Sequence, residues 1–175
     1  MSTILEIGLL GFAWIAIRPR RYVNMRWTRP TLGWVALSVP IAAACLALHY
    51  VLGLVWPLGW GASTNVVTFP HALSTVGFVI YGTISLGISP IVQELYFRGW
   101  ILSAVERVHP LAGILVSALL FAFFDAGTGF GSVYIFLFGL IYGTTAVASR
   151  SVFVPALIHV LVNSAAGSIY LARPY

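Results

Sequence analysis

The sequence predicts an all-α fold: a polytopic bundle of roughly six transmembrane helices. Three observations carry that prediction. First, 60% of the 175 residues are hydrophobic and only 7% are charged, with a mean hydropathy of +0.98. A soluble domain carries about 25% charged residues, and a chain this poor in charge has too few to cover a wet surface. Second, the apolar runs are long and continuous, unlike the ten-residue alternations of a membrane barrel. Third, the basic residues cluster between the runs. All nine are Arg, and five of them (Arg18, Arg20, Arg21, Arg26 and Arg29) share one short loop. Such a loop between apolar runs is a positive-inside signal, so nucleic acid is not the expected partner.

The first span is expected over about Thr3–Ile17. It has no basic residue before it and no small-residue cleavage site, so it reads as a retained anchor. The second covers about Leu32–Trp56, with Pro40 placed to kink it. The Pro57–Pro70 segment, rich in Gly, Pro, Thr and Asn, reads as a loop with Trp56 and Trp60 as interfacial anchors. A third span is expected over about Ala72–Val92, its helix continuing through Arg98 toward Val108. Pro110 opens a fourth over Leu111–Phe124, closed by the turn Gly127–Gly131. The fifth covers about Ser132–Ala148, Arg150 and Ser151 form a tight turn, and the sixth covers Phe153–Leu171.

In this drawing eight Arg residues fall on the cytoplasmic side, and only Arg173 falls opposite. Both termini then lie on the non-cytoplasmic side, and residues 1–175 form a single transmembrane domain. One cysteine, Cys45, excludes a disulfide framework and two-Cys metal motifs, and it reads as a small packed side chain. Exposed aromatic residues such as Trp14, Trp27, Trp34 and Trp100 are expected to face lipid or a partner protein.

Ionisable groups inside apolar spans are costly and mark function. Glu6, His71 and His109 lie at span ends, where solvation is cheap. His49 reads as a packed, hydrogen-bonded side chain. Glu106 and Arg107 fit an interfacial segment. Another group draws on three spans: Gln93, Glu94 and Arg98; then Asp125; then His159 and Asn163. Glu94 and Arg98 are four apart and share a helix face, as do His159 and Asn163. Gln93 lies about 100° round the helix from Glu94. Convergence of these helices would place two carboxylates, two amides and an imidazole around one cavity, a set able to orient water and stabilise an oxyanion. Polar groups also glue membrane helices together, and a structural cluster is the equal alternative. Counting along the spans puts Asp125 and His159 at depths differing by roughly 12 Å, which a shared cavity must close by tilt.

Three segments resemble the CPBP (Abi) family of intramembrane proteases, related to CAAX prenyl endopeptidases and bacteriocin-processing proteins. Pro90-Ile91-Val92-Gln93-Glu94-Leu95-Tyr96-Phe97-Arg98-Gly99 resembles the Glu-Glu-x-x-x-Arg motif. Phe121-Ala122-Phe123-Phe124-Asp125 falls where that family has Phe-x-x-x-His. Pro155–Asn163 matches His-x-x-x-Asn, and Phe138–Gly143 resembles the glycine-bearing helix between them. Order and spacing agree over a CPBP-like core at 89–165. The resemblance implies that the first Glu and the second-motif His activate water. It further implies that His159 and Asn163 hold an oxyanion, and that Glu94 and Arg98 support the site. Here the two water-activating positions carry Gln93 and Asp125.

Glutamine takes no proton at neutral pH, and general-base help is worth about 10²–10⁴-fold. The reading these changes favour is a degenerate protease homologue, serving as a membrane scaffold or as a subunit of a larger membrane complex. The alternative is an active endopeptidase that cuts a membrane-associated peptide, with Asp125 or Glu94 activating water. A third reading, a metal hydrolase using Glu94, Asp125 and His159, has only one His and no usable Cys. No cofactor is expected. The expected partners are the lipid bilayer and other membrane proteins, and the expected location is a bacterial cytoplasmic membrane.

Overall fold

The structure is a computed structural model that describes residues 31–55, 75–126 and 130–171. The expected first span, the Arg-rich loop, the 57–70 loop, Arg173 and the Trp residues at 14, 27, 56 and 60 lie outside these residues. So do Glu6 and His71. Among the described residues every regular element is helical.

Helix α1 is Leu32–Val55, with Pro40 inside it. Helix α2, Thr75–Gly82, runs into a π-helical stretch, Thr83–Ile88, and then into α3, Ser89–Glu94. A second π-helical stretch, Leu95–Leu102, leads to a single turn α4, Ser103–Val105. The helix therefore continues past Arg98 as expected, and it breaks into turns at residues 106–108. The first wide turn has a local cause. Pro90 has no N–H, and its ring crowds the carbonyl four residues back. Just before it, the Ser89 N–H bonds the Ile84 carbonyl, five residues back.

Helices α5 (Pro110–Ala126), α6 (Phe130–Ser149) and α7 (Phe153–Leu171) complete the bundle. Pro110 sits at the start of α5, where a missing N–H costs nothing. The His109 imidazole accepts from the Leu111 N–H there, at 3.2 Å. The turn expected at 127–131 is shorter than drawn, because Phe130 and Gly131 are already helical. Arg150 takes φ 53° between α6 and α7, the left-handed conformation that ends a helix sharply. Ser151 Oγ then accepts from the Phe153 N–H at 3.2 Å and caps α7.

Helix α5 lies mainly along α6, α1 along α7, and α3 against α7. The closest approach is fixed by glycine. A Cβ at Gly139 would stand 2.9 Å from Ala118 Cα and Cβ, so α5 and α6 touch backbone to backbone there. The core joins Ala42 and Cys45 of α1 with Phe97, Phe121, Phe138, Tyr142, Val154, Ile158 and Val162. Gln93, Glu94, Arg98 and His159 are buried among these groups, while Leu37, Val39, Val51, Leu119, Leu120 and Phe123 are exposed. A polar interior inside an apolar exterior is the arrangement that suits lipid as the surrounding solvent. Helix α1 includes the one stretch, Leu32–Leu52, that is long and apolar enough by itself to cross a membrane among the described residues. Shorter apolar stretches cover Pro110–Asp125, Val133–Ser149 and Phe153–Ile169. Trp34 and Trp100, expected to be exposed, are half-buried.

Candidate functional site

The six candidate residues fall into a buried node, an adjacent pair and one flanking residue. The node is built on Glu94 at the end of α3. Arg98 Nη1 donates to Glu94 Oε1 at 3.0 Å, and His159 Nδ1 lies 3.0 Å from the same oxygen. A carboxylate only accepts, so His159 carries its hydrogen on Nδ1. Arg98 Nη2 donates to the Gly139 carbonyl at 2.9 Å, which ties α6 to the node. Glu94 and Arg98 are 0% and 1% exposed, so neither charge reaches the surface. A buried pair of this kind persists only because each charge has partners; removing one costs about 3–5 kcal/mol.

Aromatic rings wall the node. The Arg98 guanidinium carbon stands 4.6 Å from the Phe121 ring centroid and 5.4 Å from that of Tyr142. This places the planar cation against π faces in a dry setting, where such contacts are strongest. Tyr142 stacks on the His159 imidazole at 4.9 Å and 28°, and Phe121 meets it edge-on at 5.8 Å. Among the described residues, Glu94 Oε2, Arg98 Nε and Tyr142 Oη are buried without a hydrogen-bond partner.

The adjacent pair is Gln93 and Asp125. Gln93 Nε2 donates to Asp125 Oδ1 across a long 3.4 Å. Gln93 is buried and Asp125 is half-buried near the end of α5. Consecutive residues of α3 thus reach α5 through Gln93 and α7 through Glu94. Asn163 is half-buried one turn beyond His159. The metal-hydrolase grouping is not formed: Glu94 meets His159, but Asp125 pairs with Gln93. Among the described residues no three His, Cys, Asp or Glu side chains gather closely enough to hold an ion.

A family model described as type II CAAX prenyl endopeptidase Rce1-like matches residues 75–165, about half the chain. The chain belongs to this family. No curated protein and no solved structure matches it. With its apolar helices, this Rce1-like chain is an integral membrane protein of the CAAX-protease type. The matched stretch opens with α2 and closes in α7 two residues beyond Asn163, so it contains all six candidate residues.

Sequence reasoning missed three participants in the Rce1-like site. The Gly139 carbonyl is a backbone group and leaves no side-chain signature. Phe121 and Tyr142 are placed in motif segments but given no part in the site. The available hint was that Phe138 and Tyr142 repeat at helical spacing, which puts a phenol on the core face of α6.

Proposed function

We propose that this chain is a non-catalytic member of its family that works as a membrane scaffold or as a subunit of a larger membrane complex. The observation that carries the reading is the Gln93–Asp125 pair. The Gln93 amide donates to the one carboxylate available to serve as a base. A carboxylate oxygen that accepts from this amide has that lone pair engaged and turned away from a water molecule. Gln93 itself cannot accept a proton.

The rest of the site supports the same reading. Glu94, the other carboxylate, is held by Arg98 and His159 in the protein interior. Its role is to join α3 to α7, not to face a reactant. With its Nδ1–H directed at Glu94, the His159 ring leaves Nε2 as the nitrogen that faces away from the carboxylate. It can donate to an oxyanion only as the imidazolium. The framework that positions the side chains is retained, and the proton chemistry is reduced. Such a chain keeps a stable fold that a partner can bind.

One observation favours a second reading, endopeptidase activity on a membrane-associated peptide. Asp125 is half-buried near the end of α5, so one carboxylate of the site keeps exposed surface. Both readings place the chain in a bacterial cytoplasmic membrane. The Arg18–Arg29 loop is read as cytoplasmic, with six spans and both termini opposite.

The deciding experiment replaces Asp125 with Asn in the native host, verifies normal membrane levels, and compares the strain with a clean deletion. A deletion defect that the Asn strain does not share is the expected result. An Asn strain as defective as the deletion overturns the scaffold reading and favours Asp125 as a base.

A further inference from the structure

His49 lies in an apolar span, where an ionisable side chain is costly and marks function, yet neither part of the site contains it. The fold gives it a definite partner. His49 sits on α1 one turn beyond the buried Cys45, and its Nδ1 is hydrogen-bonded to the Tyr134 hydroxyl of α6. The two rings also pack at 4.9 Å and 55°, so ring contact and hydrogen bond select the same pairing. Tyr134 adjoins the Gln93–Asp125 pair. Helix α5 ends at Ala126 and α6 begins at Phe130, so Asp125 and Tyr134 lie at the same end of these two packed helices. The Tyr134 phenol and the Asp125 carboxylate interact electrostatically across that end. In the other direction Tyr134 packs on Phe138 at 4.5 Å, and Phe138, Tyr142 and His159 continue the ring contacts into the node.

We propose that the site extends onto α1: Tyr134 is a positioning residue for the Asp125 carboxylate, and His49 fixes the Tyr134 hydroxyl. The physical argument begins with the phenol. A tyrosine hydroxyl turns about its C–O bond and takes the direction that its partner sets. A second helix that supplies the partner removes this freedom and leaves the phenol dipole in one orientation. In an apolar setting an oriented dipole near a carboxylate acts with little screening. The hydrogen bond from Gln93 to Asp125 is long, 3.4 Å, which leaves scope for a further positioning group. The α5 position where the family motif has His carries Asp125, and His49 brings an imidazole toward it from a different helix. Imidazole, phenol and carboxylate then come from α1, α6 and α5, so the docking of α1 is part of how the site is built. The inference goes beyond the scaffold reading, since it concerns which side chains form the site and not what the site does.

Asp125 is the one Asp in the chain, so carbon-13 aspartate marks a single carboxyl group. Its infrared band is recorded at one neutral pH for the full chain in lipid nanodiscs. Wild type is compared with Tyr134→Phe, His49→Leu and His49→Gln, with Ser151→Ala as a control. Tyr134→Phe deletes the hydroxyl and keeps the ring on Phe138. His49→Leu deletes the hydrogen bond, whereas a Gln amide can restore it. The expected result is a shift of several wavenumbers in Tyr134→Phe and His49→Leu, with the wild-type position recovered in His49→Gln. A band that none of the three moves overturns the proposal. So does a shift in His49→Gln as large as in His49→Leu, or one that Ser151→Ala shares. Should the variants fail to accumulate, solid-state NMR of the labelled wild type decides the case. Magnetisation passing from the Asp125 carboxyl to a tyrosine ring that also contacts a histidine supports the assignment, and its absence refutes it. Host complementation by Asp125→Asn is independent of these signals, so the scaffold reading and the extended site can fail separately.

Discussion

Gln93 and Glu94 are neighbours in the chain, yet they lie in different environments. Glu94 is wholly buried, shares one oxygen between Arg98 and His159, and through Arg98 reaches the α6 backbone. Gln93 makes one long hydrogen bond to a half-buried carboxylate on α5. The cause is the rotation of about 100° between consecutive helical residues, which aims adjacent side chains at different neighbouring helices. The node holds three segments together, so its loss breaks the fold. The Gln93–Asp125 contact joins α3 to α5 through one long hydrogen bond.

The comparison can be broken most severely at Arg98. Arg98→Met leaves Glu94 as an uncompensated buried charge and should cost about 3–5 kcal/mol. Thermal unfolding in detergent is expected to show a large loss, or membrane levels to collapse. A near-normal midpoint would mean that the node is not structural. Gly139→Ala comes next. Its Cβ would enter the space of Ala118, and overpacking of this kind costs about 1–3 kcal/mol. Pairing it with Ala118→Gly should recover part of the loss, which a melting comparison of the single and double variants would reveal.

Two smaller changes sharpen the contrast. Ser151→Ala removes the cap of α7 without touching either cluster, and should cost about 1 kcal/mol. A much larger drop would show that the start of α7 sets the position of His159. Asp125→Asn should cost least, about 0.5 kcal/mol, because the amide oxygen of Asn can still accept the long hydrogen bond from Gln93. An unfolding midpoint within about 2 °C of wild type is expected. A drop as large as that of Arg98→Met would erase the distinction between pair and node.

Much of the fold was legible in the sequence because the signals were local. The limits of α1 and α7 follow from uninterrupted apolar runs and their flanking breakers, and α7 begins and ends where the sequence places it. The Glu94–Arg98 pair followed from spacing alone. Other features were not local. Residues 75–105 contain two π-helical stretches where an unbroken α-helix was expected, because hydropathy does not encode hydrogen-bond offset. Phe130 and Gly131 read as turn residues but are helical, because α6 packs on α5 and that contact outweighs the weak propensity of glycine.

The sequence by itself determined an all-helical chain with an apolar exterior, a small set of polar residues too costly to be incidental, and the motif order that marks its family. Composition and periodicity suffice for those, since each is a property of short segments. Only the tertiary structure decided how the polar residues divide: Glu94 to Arg98, Gly139 and His159, and Gln93 to Asp125. Those partners come from helices far apart in the chain. Their choice depends on how closely α5 and α6 can approach at Gly139 and on which way each side chain points after packing, and neither is written in any one segment.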